Sequence, residues 1–220
     1  MEILPAIMPE SYADLEDKAR RVAGLVHYAQ IDIMDGNFVP SVSWPYKNNK
    51  EEEGLQLPFR DQLRYEVDLM VRDPIAEVRT WINTGVSRIL FHIESVSNPL
   101  AVIEEISSHA EDEREIEVGV AIDIVTENEE LEPLLSRISV VQCMGIARIG
   151  YQGEPFDERV IPKIRELHAK HPEIIISVDG GVTLLTAPLL IEAGATRLVS
   201  GSAIFQAENI AEVIQKFQNL

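Results

Sequence analysis

The chain has 220 residues, 45% of them hydrophobic, one cysteine and a formal net charge of −18. A length just above about 200 residues suits one closed α/β domain and leaves little for a second. The acidic excess argues against a nucleic-acid or anionic-membrane partner, and a lone Cys143 excludes an internal disulfide or a thiolate metal cluster within the chain.

In chain order, short β-branched and apolar runs alternate with longer runs of helical period. The first strand is expected at Ile3–Met8 and a helix at Tyr12–Ala23. A second strand over Val26–Met34 leads into a polar segment, Ser41–Leu55, read as an irregular loop before a short helix near Gly54–Leu63. Strands at Tyr65–Val71, Arg88–Glu94 and Glu115–Asp123 are followed by helices at Pro74–Thr84, Pro99–His109 and Asn128–Arg137. The last strands, Val140–Ile146, Ile174–Asp179 and Arg197–Ser200, precede helices at Asp157–Lys170, Leu184–Ala193 and Ala207–Phe217. Acidic runs at Glu51-Glu52-Glu53, Glu111-Asp112-Glu113 and Glu127-Asn128-Glu129-Glu130 read as solvated loops or helix faces.

Several strands are apolar throughout, as a parallel sheet covered on both sides requires. About eight βα units in one domain give a TIM (β/α)8 barrel over residues 1–220. An open doubly wound sheet is the other fold such an alternation could feed. It would need a Gly-rich turn after the first strand to hold a dinucleotide, and Pro5-Ala6-Ile7-Met8-Pro9 offers none, so no organic cofactor is expected. No run of about 18 apolar residues occurs and the first residues lack the basic start of a signal peptide, which predicts a soluble, cytoplasmic protein with no membrane partner.

Side chains alternate across a barrel wall, so Gln30, Asp32 and Met34 share one side of the second strand, and Asp68 and Met70 one side of the third. Charged groups are excluded from the apolar, helix-facing side. Asp32, Asp68 and Asp179 are therefore expected to point inward near the carboxyl ends of strands, the face where barrel active sites form. Three carboxylates there repel one another unless a cation binds or one is protonated. Gly180-Gly181 and Gly201-Ser202 follow the last two strands, where small residues let backbone N–H groups approach a phosphate. Gly150 and Gly153 flank Tyr151-Gln152 in a segment that reads as either a lid or an ordinary surface loop. His92 reads either as a hydrogen-bonded core residue or as a substrate or metal contact. Met34, Met70 and Met144, all at strand ends, permit a polarisable lining around a reacting carbon.

Together the segments Asp32-Ile33-Met34-Asp35-Gly36-Asn37-Phe38-Val39-Pro40, Asp68-Leu69-Met70-Val71, Phe91-His92-Ile93-Glu94, Val178-Asp179-Gly180-Gly181-Val182 and Ser200-Gly201-Ser202-Ala203-Ile204 resemble the ribulose-phosphate 3-epimerase family. The resemblance implies a TIM barrel in which Asp32 and Asp179 move the C3 proton of a ketopentose phosphate. It further implies that Met34, Met70 and Met144 line the site, that Gly180, Gly181, Gly201 and Ser202 hold the phosphate, and that a homo-oligomer is possible; His92, Gly150 and Gly153, read from their own positions, are expected as further substrate contacts. Family members hold a divalent ion with two histidines and two aspartates, and here Gln30 and Asp68 stand at the histidine positions. Gln30, Asp32, Asp68 and Asp179 would form an all-oxygen site, which favours Mg²⁺ or Mn²⁺ over Zn²⁺ or Fe²⁺. Alternative functions are epimerisation of another ketose phosphate, aldol cleavage, and non-catalytic sugar-phosphate binding. The Asp-x-Lys-x-x-Asp pattern of aldol-cleaving relatives is missing, because no lysine follows Asp32.

Overall fold

A computed structural model describes residues 1–47, 55–109 and 116–220. Eight parallel strands close into a barrel in chain order: β1 (Glu2–Ile7), β2 (Tyr28–Met34), β3 (Arg64–Met70), β4 (Arg88–His92), β5 (Glu117–Ile122), β6 (Val140–Met144), β7 (Ile175–Asp179) and β8 (Arg197–Ser200), which returns to pair with β1. The helices are α1 (Tyr12–Val22), α2 (Pro74–Thr84), α3 (Pro99–Ser108), α4 (Val160–Lys170), α5 (Ala187–Ala193), α6 (Ser202–Phe205) and α7 (Ile210–Gln218). This is the TIM barrel expected from the alternation. No helix among the described residues is long and apolar enough to cross a membrane.

Alternation along each strand separates two environments. Ile31, Ile33, Val67, Leu69, Ile89 and Phe91 are fully buried in the core shared with Leu15, Val78, Trp81 and Ile103 of the helices. The residues between them face the barrel axis, where Gln30, Asp32, Glu66, Asp68, Arg88, Gln142, Ser177 and Arg197 are buried despite their polarity. Hydrogen bonds or ion pairs must offset that burial. At the amino end, one oxygen of Glu66 accepts from Arg88 at 2.6 Å and from Arg197 at 2.7 Å. Arg88 also pairs with Glu117, and Arg197 with Glu2 at 2.9 Å. At the carboxyl end the polar side chains form the candidate site.

Strand and helix starts follow local chemistry. Ser11 accepts from the backbone N–H of Asp14 to open α1, and Asp73 caps α2 ahead of Pro74, whose fixed φ suits the first turn. The helix expected over Asn128–Arg137 is instead two 3₁₀ turns, Asn128–Leu131 and Leu135–Arg137. Pro133 lies between them, with no N–H to donate and a ring that clashes with the preceding turn. The helix expected near Gly54–Leu63 does not form over residues 55–63, where Phe59 takes a left-handed φ of 53° that α-helix forbids. Gly54 and the acidic runs at 51–53 and 111–113 lie outside the described residues.

The segment after β2 is not a free surface loop. The Ser43 hydroxyl donates to the carbonyl of Asp32 at 2.8 Å and accepts from the N–H of Met34 at 2.9 Å. Trp44 is buried, edge-on to Trp81 at 6.1 Å and tilted against Tyr12 at 5.9 Å. The polar stretch thus anchors the carboxyl end of β2 between α1 and α2.

Candidate active site

Parallel pairing sets Asp32 beside Asp68 across β2 and β3, and Met144 beside Asp179 across β6 and β7. Barrel closure brings one carboxylate oxygen from each of Asp32, Asp68 and Asp179 within 4.8 Å of the others. Gln30, one layer below Asp32, directs its amide nitrogen between two of them, donating to Asp32 Oδ1 at 2.9 Å and to Asp179 Oδ2 at 3.1 Å. The third carboxylate has a different partner. Gln142 donates to Asp68 Oδ2 at 3.0 Å and in turn accepts from the Ser177 hydroxyl at 3.3 Å. Gln142 and Ser177 were not singled out from the sequence. Their signal was the two-residue offset from Met144 and Asp179, which places them on the same inward side.

Burial and mutual repulsion make Asp32 and Asp179 weak acids. Desolvation, then repulsion from Asp179 and Asp68, raises Asp32 well above the usual carboxylate range, against the bond from Gln30. Asp179 is pushed up to about 7 by desolvation and Asp68, with Gln30 and the N–H of Gly180 opposing. One proton is therefore readily held between Asp32 and Asp179 near neutral pH, and the two titrate as a pair.

The donor chemistry fits a divalent ion. The buried carboxylates of Asp32 and Asp68 and the half-buried one of Asp179 converge on one point, and Asp68 Oδ1 and Gln30 Oε1 have no hydrogen-bond partner. In the present orientation Gln30 offers that point a nitrogen. A half-turn of its amide exchanges the nitrogen for the oxygen, so ligation by Gln30 costs the two bonds to Asp32 and Asp179.

Above the cluster lies a cavity lined by Asp32, Asp179, Met70 and Met144 at its floor and by Gly180, Gly181, Gly201 and Ser202 on one side. Among the described residues no lysine or arginine lines it, so an anion there depends on backbone N–H groups. Gly180 and Gly181 have φ of 93° and 67°, and a Cβ on either would meet Ile146 or Phe156 within 2.7 Å. Glycine is needed at both for that close approach. The Ser200 hydroxyl donates to the carbonyl of Val182 at 2.9 Å, tying the two glycine loops together.

Gly150 and Gly153 also line the cavity, with Tyr151 and Gln152 between them. Arg148 pairs with Glu154 at 2.6 Å and lies 5.4 Å from the Tyr151 ring, bracing this loop from outside. Gln152 reaches across to the backbone at Gly201.

Two of the expected substrate contacts lie elsewhere. Met34 is fully buried with Val39 and Met70, and His92 is fully buried behind Asp68, its Nε2 3.5 Å from Asp68 Oδ1. Neither lines the cavity. Met34 pairs with Met70 across β2 and β3 and packs beside it, and His92 lies behind Asp68, so both are covered by their neighbours without reaching the cavity.

A family model described as the ribulose-phosphate 3 epimerase family matches residues 2–205. Ribulose-phosphate 3-epimerase of Eremothecium gossypii is 28% identical, over 96% of this chain and 89% of its own length. Chloroplastic ribulose-5-phosphate-3-epimerase of Arabidopsis thaliana is 31% identical, over 97% of this chain and 74% of its own length. Among solved structures, KGPDC from Streptococcus mutans in complex with D-R5P superposes with a TM-score of 0.73 at 15% identity, over 99% of this chain and 95% of the other. 3-Hexulose-6-phosphate synthase superposes at 0.69 and 18%, over 100% and 99%. At those identities the structural likeness shows the fold.

Proposed function

The chain belongs to the ribulose-phosphate 3-epimerase family, and on that premise we propose that it inverts C3 of a ketopentose phosphate through Asp32 and Asp179. Ribulose 5-phosphate and xylulose 5-phosphate are the preferred pair. The observation that carries this reading is the pair of raised carboxylates at the cavity floor, joined by one amide donor.

Inversion at a carbon next to a carbonyl needs a base on one face and an acid on the other. With one proton shared between them, the ionised aspartate takes the C3 proton and its protonated partner delivers one to the opposite face. The roles exchange for the reverse reaction. Gln30 holds both oxygens in place and lowers the cost of the ionised one. Gly180, Gly181, Gly201 and Ser202 hold the phosphate through backbone N–H groups, Met70 and Met144 line the reacting carbons, and Gly150 to Gly153 close over the sugar to exclude water. Asp32, Asp68 and Asp179, joined by Gln30 only if its amide turns and gives up its two bonds, would hold a divalent cation that would supply positive charge against the charge developing on the substrate, and oxygen donors favour Mg²⁺ or Mn²⁺.

The test is exchange of the C3 hydrogen in deuterated water, followed by NMR with each of several ketose phosphates. Wild-type protein inverts C3 with incorporation of deuterium, and both Asp32→Asn and Asp179→Asn lose at least a hundredfold in the rate of inversion, whatever exchange without inversion the remaining aspartate still supports. Inversion that persists near the wild-type rate in either variant, or saturable binding with no exchange under any divalent ion, overturns the proposal.

A further inference from the structure

Behind the cavity, His92 at the end of β4 stands among three carboxylates. Its Nε2 faces Asp68, while Nδ1 lies 3.7 Å from Glu94 Oε2 and 3.8 Å from Asp123 Oδ1. These separations are too long for hydrogen bonds. Neither ring nitrogen nor Asp123 Oδ1 has a hydrogen-bond partner, although the imidazole is fully buried. The three donor atoms fall within 4.8 Å of one another. Ligands about 2.0–2.2 Å from a common ion stand about 3–3.6 Å apart, so a shift of a few tenths of an ångström brings Nδ1, Oε2 and Oδ1 onto one ion.

We propose that His92 Nδ1, Glu94 and Asp123 bind a second divalent transition-metal ion, separate from the Asp32–Asp68–Asp179 cluster. The surrounding bonds orient the ligands for it. Glu94 Oε1 accepts from the N–H of Asp123 at 2.8 Å and from the Thr126 hydroxyl, which turns Oε2 toward His92. The Asp68 carboxylate, 3.5 Å from Nε2, electrostatically favours the tautomer with the hydrogen there, which leaves the Nδ1 lone pair free for an ion. Phe38 packs on the imidazole with ring centres 5.4 Å apart. The Glu94 and Asp123 side chains are 23% and 28% exposed, which admits water to the remaining coordination positions. Lys163 opposes the site, because its ammonium donates to the Asp123 carbonyl at 3.0 Å and to the Thr126 carbonyl. In the absence of an ion a proton on Nδ1 serves as the counter-charge, and metal binding releases it. One imidazole with carboxylates suits Mn²⁺, Fe²⁺ or Zn²⁺.

Mn²⁺ is a probe that separates the two centres, because the first offers only oxygen. Chelator-stripped full-length protein, titrated with Mn²⁺, is expected to show an imidazole ¹⁴N coupling in pulsed EPR. That coupling survives in the Asp32→Asn/Asp179→Asn double variant. It disappears in Asp123→Asn and Glu94→Gln, with the affinity of the nitrogen-coupled ion falling at least tenfold and circular dichroism reporting the fold. No nitrogen coupling in the wild type overturns the proposal without recourse to any variant. So does coupling that persists in folded Asp123→Asn, or coupling lost with Asp32 and Asp179, which would place His92 on the first ion. None of these readouts depends on epimerase turnover.

Discussion

Gln30 is the residue whose chemistry the site depends on most. A neutral amide stands where family members carry a metal-binding histidine, and its nitrogen joins the two carboxylates that would otherwise repel. Hydrogen bonds to charged groups contribute about 1.5–3 kcal/mol each. Gln30→Leu removes both bonds, leaves Asp32 and Asp179 without a shared donor, and also deletes an amide oxygen that could turn toward an ion. The rate of C3 exchange is expected to fall about tenfold to a hundredfold, and the melting temperature to fall by several degrees, because two carboxylates lose their shared donor even though leucine fills a similar volume. Exchange at the wild-type rate would show that the bridge is incidental. The sequence placed Gln30 on the inward side correctly, since strand alternation fixes that. Which end of the amide faces the carboxylates depends on Asp179, 149 positions away, and no local pattern encodes it.

At the scale of elements, the junction between β2 and β3 is held by Asp35. Oδ1 accepts from the N–H of Asn37 at 2.8 Å and Phe38 at 3.2 Å, and Oδ2 from the N–H of Arg72 at 3.1 Å. Partial burial raises its pKa, but these bonds outweigh that and hold it below the usual carboxylate range. A group depressed on folding stabilises the fold above its unfolded pKa and loses that contribution as pH falls through the folded one. Asp35→Asn should therefore lower the melting temperature by a few degrees near pH 7, roughly 1 kcal/mol after allowing for solvent screening. The deficit should shrink below about pH 4, where the wild-type carboxyl also protonates. A deficit independent of pH from 3 to 8 would mean that charge is not what Asp35 contributes.

All eight strands and most helices were legible because burial on both sides of β2, β3 and β4 leaves long apolar runs with inward polar residues at every second place. The misread elements had a local cause that competed with periodicity: Pro133 inside an apparently helical run, and the left-handed Phe59 after Pro58. The candidate site divides similarly. Asp32, Asp68 and Asp179 declared themselves as charges inside apolar strands, and the glycines as turns at matching strand ends. His92, Glu94 and Asp123 belong to two different strand ends and meet only when β4 pairs with β5, so their grouping was visible only in three dimensions.

For the whole molecule, the barrel axis carries two polar layers with opposite requirements. The carboxyl-end layer gathers acids without enough cations, and that deficit is what a proton, Gln30 or a metal relieves. The amino-end layer is balanced: Glu66, Arg88 and Arg197 are 0%, 4% and 2% exposed, and the single oxygen Glu66 Oε2 accepts from both arginines. That makes Glu66 the hub. Breaking a buried pair by removing one partner costs about 3–5 kcal/mol, because the other charge is left desolvated. Glu66→Gln strands two guanidinium groups at once, with Arg88 left to Glu117 and Arg197 to the half-exposed Glu2. Arg197→Met removes one cation, fills its volume with apolar atoms, and leaves Glu66 paired to Arg88. Denaturant unfolding should rank the two clearly, with Glu66→Gln losing about 3–5 kcal/mol and Arg197→Met less than half of that. Equal losses would mean that packing at the barrel base, and not the shared carboxylate, closes this end of the molecule.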